Sequence, residues 1–165
     1  MTFLYHYQAD AVAIAAILRD GLRPLSDMPQ HPKYESEAAR FESRYDELAR
    51  PHLKRPYHGN SGVFFTTIDL RRMTGRKRLS STRLRIPPDR LDAAWSVLTF
   101  ELDGQRNWLP LSDSNLELMA DLWTDDLAQC WLGADNTGWF RYVPQVVSFQ
   151  PGGVQVRTSD IDRAL

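Results

Sequence analysis

The chain has 165 residues, of which 42% are hydrophobic and 25% are charged, and its formal net charge at pH 7 is −1. This balance is typical of one globular domain, and a net charge near zero excludes a global attraction to nucleic acid or anionic lipid. The single cysteine excludes a disulfide within the chain. We find no signal peptide and no run of about 20 apolar residues. The sequence therefore predicts a single domain over 1–165 in the cytoplasm, without a membrane partner.

Aromatic alternation predicts a first strand over residues 2–8. Asp10 is suited to cap the helix that follows, and Gly21 is suited to end it. Later strands are predicted at 62–67, 81–86, 97–102, 139–143, 145–149 and 154–157. Helices are predicted at 36–49 and 114–132, and the tail from residue 158 is predicted to be loose. Strands and helices do not alternate regularly, which favours an α+β fold.

The helix predicted at 114–132 opens with Ser114 and Glu117, the spacing of a capping box. Its apolar face includes Cys130, which we therefore interpret as a small core residue rather than a nucleophile. One cysteine and four histidines do not provide the ligands of a closed structural zinc site, so no metal site is predicted.

Two features could carry chemistry. His6 lies mid-strand, where a buried histidine needs hydrogen-bond partners for both ring nitrogens, and a structural role is the simpler interpretation. A basic run without intervening acids could bind phosphate groups or could be a solvated face. Its members are Arg71, Arg72, Arg76, Lys77, Arg78, Arg83 and Arg85.

Three segments together resemble the ADP-ribosyltransferase superfamily, in its diphtheria-toxin and poly-ADP-ribose-polymerase branch. They are LYHY at 4–7, AAILRDGL at 15–22 and GVFFTT at 62–67. The resemblance implies a split β-sheet core with a few flanking helices, and NAD as the cofactor. The residues that it assigns to NAD binding are His6, Tyr7, Phe64, Thr66, Arg83 and Arg85.

In that resemblance His6 holds the amide or ribose side of NAD, Phe64 stacks on nicotinamide, and Arg83 or Arg85 meets the pyrophosphate. The family also carries a catalytic glutamate near the start of a late strand. The late strand here reads TGWFRYVPQVVSF and contains no acid. Glu101 is the best substitute, and Asp135 is the alternative. The predicted catalytic residues are thus His6 and Glu101.

The resemblance implies an NAD-dependent ADP-ribosyltransferase that modifies a macromolecule, either protein or nucleic acid. Such a protein could be a bacterial or phage toxin, or an effector delivered into a target cell. One alternative is a binding module of the same fold without catalysis, which the absent glutamate favours. Another is an enzyme of the RNA 2′-phosphotransferase type, which would use the basic run.

Overall fold

The computed structural model describes residues 2–8, 11–23, 48–55, 62–69, 82–128 and 144–163. Within them seven strands form one sheet whose pairs are all antiparallel. The strands are β1 (Leu4–Gln8), β2 (Val63–Thr66), β3 (Thr82–Ile86), β4 (Ser96–Leu102), β5 (Gln105–Pro110), β6 (Gln145–Ser148) and β7 (Ile161–Arg163). Two helices flank the sheet, α1 (Ala11–Asp20) and α2 (Asp113–Asp121). The predicted α+β class is confirmed.

The order of strands across the sheet is β5-β4-β6-β2-β1-β3-β7. At its centre β1 and β2 pair at Tyr5 and Thr66, whereas β1 and β3 pair over five residues and β2 and β6 over four. The described strands therefore form two well-paired groups, joined by a short contact between β1 and β2. We call this place the β1–β2 junction.

Each face of the sheet carries a core. The larger core packs α1 and α2 against one face, and its most buried members include Leu4, Phe65, Leu98 and Met119. The smaller core lies on the other face and comprises Ala49, Phe64, Val97, Val147 and Phe149, with Leu53 and Trp108 packed against it. Burial of each such side chain contributes roughly 1.5–3 kcal/mol, so both cores fix the register of the central strands.

Helix α1 ends as the sequence predicts. Gly21 adopts φ +84°, a conformation that favours glycine, and its N–H donates to the Ile17 carbonyl at 2.8 Å. Leu22 then bridges Val154 through two backbone hydrogen bonds of 2.7 and 2.9 Å. The chain after β6 is thereby tied to the end of the first helix.

The second helix corrects the prediction at both ends. Its N-cap is Ser112, whose hydroxyl accepts from the Asn115 N–H at 3.2 Å, so the predicted Ser114 box is wrong. The helix ends at Asp121 rather than continuing to Leu132. Thr124 caps a separate helical segment at 125–128, because its hydroxyl accepts from the Leu127 N–H at 3.2 Å.

Two elements at the sheet edges were not predicted. Strand β5 follows the Asp103-Gly104 turn, in which both residues have positive φ, as a tight hairpin requires. Strand β7 lies in the tail that was predicted to be loose, and it pairs with β3. The strand predicted at 154–157 is reduced to the single bridge at Val154.

Several predictions fall outside the described residues. They concern most of the helix at 36–49, the strand at 139–143, Cys130, Asp135 and the basic residues from Arg71 to Arg78. In the described part of the chain, no helix has the length and apolar character needed to cross a membrane.

Candidate functional site

His6 lies at the β1–β2 junction. Its Nδ1 is 2.9 Å from the carbonyl oxygen of Phe64, and its ring meets the Phe65 ring edge-on at a centroid distance of 6.0 Å. The side chain thus bridges from β1 to the main chain of β2 where the two strands pair least. It connects the two groups of strands across the sheet.

The protonation state of His6 follows from these contacts. Burial lowers the pKa of His6 below its ordinary value, and the hydrogen bond to Phe64 opposes this only in part. The imidazole is therefore neutral near pH 7. A carbonyl oxygen can only accept, so Nδ1 carries the proton and Nε2 is the hydrogen-bond acceptor of the ring.

Phe64 contributes its backbone carbonyl, rather than its ring, to the β1–β2 junction. The ring is buried in the smaller core with Val97 and Val147. Phe65, by contrast, places its aromatic ring against that of His6. Stacking of Phe64 on nicotinamide would therefore require the ring to leave that core.

A line of polar side chains crosses the sheet on the face of the smaller core. The register aligns Tyr5, Thr66, Gln145 and Thr99 on four neighbouring strands. Thr66, Gln145 and Thr99 are buried, and the Thr66 hydroxyl donates to the Ile68 carbonyl at 3.0 Å. Polar groups in such a position need partners, so the line is a candidate for ligand contact or for a structural network.

Gln145 was not predicted as a site residue. It begins β6, the strand beside β2, and is 0% exposed. The signal in the sequence was a polar residue inside the apolar run VPQVVSF. Its amide occupies the start of the late strand, where the resemblance leads one to expect a carboxylate.

The fold does not place Glu101 next to His6. It lies near the end of β4 and pairs with Arg106 of β5, with Oε1 and Nη2 3.5 Å apart. Three strand spacings separate β4 from β1, which is roughly 14 Å at the usual spacing of strands. In this conformation Glu101 and His6 cannot contact one sugar ring.

The two arginines predicted to meet the pyrophosphate lie on β3. Arg83 forms ion pairs with Asp69 and Asp162 and lies over the Tyr5 ring at 5.5 Å. Arg85 is exposed and lies over the Phe3 ring at 4.5 Å. A phosphate at Arg83 would therefore have to displace a carboxylate, whereas Arg85 is open to solvent.

Tyr7 pairs with Arg83 through the backbone, but its side chain is outside the described residues, as is Asp135. The described ranges contain no cluster of His, Cys, Asp or Glu arranged to hold a metal ion. The arrangement thus offers a neutral imidazole acceptor on the face of the larger core, and a buried amide and an exposed guanidinium on the opposite face.

No protein-family model, curated protein or solved structure significantly matches this chain.

Proposed function

We propose that the protein is an NAD-dependent ADP-ribosyltransferase-like protein with a split-sheet fold, acting on a macromolecular acceptor. The observation that carries the proposal is His6 at the β1–β2 junction, where Nδ1 donates to the Phe64 carbonyl and Nε2 is therefore the acceptor nitrogen of the ring. The strand that carries His6 and the GVFFTT strand beside it are two of the three segments on which the resemblance depends.

The residues fit NAD in part. The Nε2 atom of His6 suits a donor such as a ribose hydroxyl or the nicotinamide amide. The Gln145 amide and Arg85 lie on the face of the sheet opposite His6, because both align with Tyr5, which alternates with His6 along β1. Arg85 is an exposed cation suited to a phosphate on that opposite face.

NAD would supply a glycosidic bond to a cationic leaving group, and the protein would mainly have to orient it. His6 would hold the reacting end through a neutral hydrogen bond. Gln145 lies on the opposite face of the sheet, so its amide would not orient the sugar that His6 holds. Because Glu101 lies three strand spacings from His6, the predicted carboxylate is not placed to stabilise the developing positive charge, and we expect slow bond cleavage.

A second candidate, the binding module without catalysis, is favoured by the position of Glu101 on β4, paired with Arg106. An active transferase would release nicotinamide, whereas the binding module would not. The binding module would bind NAD only if it retained the NAD site. The RNA 2′-phosphotransferase alternative is favoured less, because Arg83 already holds two carboxylates.

The test is thermal denaturation with and without NAD, followed by measurement of nicotinamide release. At 100 times the Kd, NAD would stabilise the fold by about 2.7 kcal/mol, which is a rise in Tm of roughly 5–10 °C at this chain length. The matched variant is His6→Asn, whose amide can still donate to the Phe64 carbonyl but which lacks Nε2. It should fold and should lose the NAD-dependent shift.

The control is His52→Asn, an exposed histidine on another part of the surface. It should keep the full shift. No shift of the wild-type protein at millimolar NAD, or an equal shift in His6→Asn, would overturn the proposal. Binding without nicotinamide release would decide for the binding module.

A further inference from the structure

A basic segment lies beside the edge strand β5, away from the β1–β2 junction. Residues 50–55 read RPHLKR, and Arg50, His52, Lys54 and Arg55 are all exposed. Among the described acids nearby, Glu101 pairs with Arg106, whereas the Asp92 carboxylate accepts from the Ala94 N–H at 2.9 Å and keeps its charge. The segment itself, with three Arg and Lys side chains in six residues, is cationic on a chain whose net charge is −1.

The segment is held in place by the fold. Leu53 packs against the smaller core, the Leu53 N–H donates to the Arg50 carbonyl at 3.2 Å, and the Arg55 N–H donates to the Ala94 carbonyl at 3.2 Å. The cationic side chains therefore project from an anchored backbone. A ligand that binds them need not order the main chain, which lowers the entropic cost of binding.

An aromatic stack adjoins the cations. The His52 ring lies parallel to the Trp108 indole, with centroids 4.9 Å apart and planes at 10°. Trp108 packs against the smaller core, and His52 is exposed. One face of the imidazole is covered by the indole, so its solvent-exposed area includes the opposite face.

We propose that His52, stacked on Trp108, and the cations Lys54 and Arg55 form a binding surface for single-stranded nucleic acid. A base extends the ring stack, and the flanking phosphates meet the two cations. An acidic peptide would satisfy the charges but would leave the ring stack without a partner. The inference does not depend on NAD binding.

The test is fluorescence anisotropy of the full chain with a labelled single-stranded oligonucleotide and with an abasic strand of equal length. The wild-type protein should bind the base-containing strand about five-fold or more tightly, which corresponds to one stacked base. The variant His52→Ala/Trp108→Leu should bind both strands equally. Both rings are substituted in one variant because Trp108 could still stack on a base if only His52 were replaced.

A charge test covers the case in which that double variant does not fold. Arg55→Ala should lower the slope of log affinity against log salt by about 0.7, the value for one phosphate contact with a single strand. The control Arg157→Ala removes an equal charge from an exposed position near β7, and its slope should match the wild type.

Three outcomes of the binding measurements overturn the inference, and a competition experiment gives a fourth. They are absence of binding at low salt, equal effects of Arg55→Ala and Arg157→Ala, and equal affinity of the wild-type protein for both strands. Competition by poly-glutamate as effective as that of the oligonucleotide would point to an acidic protein partner and would also overturn it.

Discussion

The tail of the chain provides a sharp test of the fold. Asp160 is 5% exposed, and its two carboxylate oxygens accept from Arg90 at 2.6 and 3.2 Å. The Arg157 N–H also donates to it at 2.7 Å. Asp160→Asn keeps the size of the side chain and an acceptor for Arg157, but it leaves the Arg90 guanidinium without a counter-charge.

The expected cost follows from burial. The Arg90 side chain is only 12% exposed, so the unpaired cation is not rescued by water. Removing one partner of a buried pair costs about 3–5 kcal/mol, and the retained Arg157 hydrogen bond favours the lower end. At about 3 kcal/mol, Tm should fall by roughly 6–12 °C for a domain of this size.

Thermal and urea denaturation followed by circular dichroism measure this change. The matched control is Asp162→Asn, two residues away, where the carboxylate is 51% exposed and its partner Arg83 keeps Asp69. That change should cost less than about 1 kcal/mol. Equal and small effects of both substitutions would show that the tail is not part of the folded sheet.

Three further perturbations test local physics. The folded-state pKa of His6 is lowered, so unfolded chains take up the proton first as the pH falls. The free energy of unfolding of the wild-type protein should therefore drop below a pH of about 6.5. The His6→Asn variant, denatured across the same pH range, should lack this pH dependence. Gly153→Ala places a Cβ 2.6 Å from the Leu22 carbonyl oxygen at φ +78° and should lower the free energy of unfolding by about 3 kcal/mol. Gly104→Ala, at φ +75° with nothing within 4 Å, should lower it by only about 1 kcal/mol. Equal losses of the free energy of unfolding in urea would contradict this. Thr99→Val removes a buried hydroxyl that has no hydrogen-bond partner in the described chain, and it should leave the free energy of unfolding unchanged or raise it by up to about 1 kcal/mol; a loss above that would reveal a partner.

The sequence predicted the centre of the sheet well. Leu4–Gln8 and Thr82–Ile86 carry alternating patterns, and Val63–Thr66 lies in a continuous apolar run. Gly21 marks the end of the first helix by a conformation that other residues avoid. These signals are local, so they could be read without knowing the fold. The position of His6 next to the GVFFTT segment could also be expected, because the resemblance assigns both segments to one NAD site.

The rest depended on contacts distant in sequence. Strand β5 is half-exposed, so its apolar pattern was weak, and β7 is held by pairing to β3 across more than 70 residues. The line from Thr66 to Gln145 is created by strand register alone. Glu101 was chosen because it is acidic and lies on a strand, and only strand order shows how far it is from His6.

The most direct test of the proposed site is ¹⁵N NMR of the His6 imidazole during titration with NAD. We predict a neutral ring protonated at Nδ1 near pH 7, and a shift of the Nε2 resonance as NAD binds, with the signal of exposed His52 unchanged. An Nε2-protonated ring, or a His6 spectrum that does not respond to NAD at millimolar concentration, would contradict the assignment of the β1–β2 junction as an NAD site.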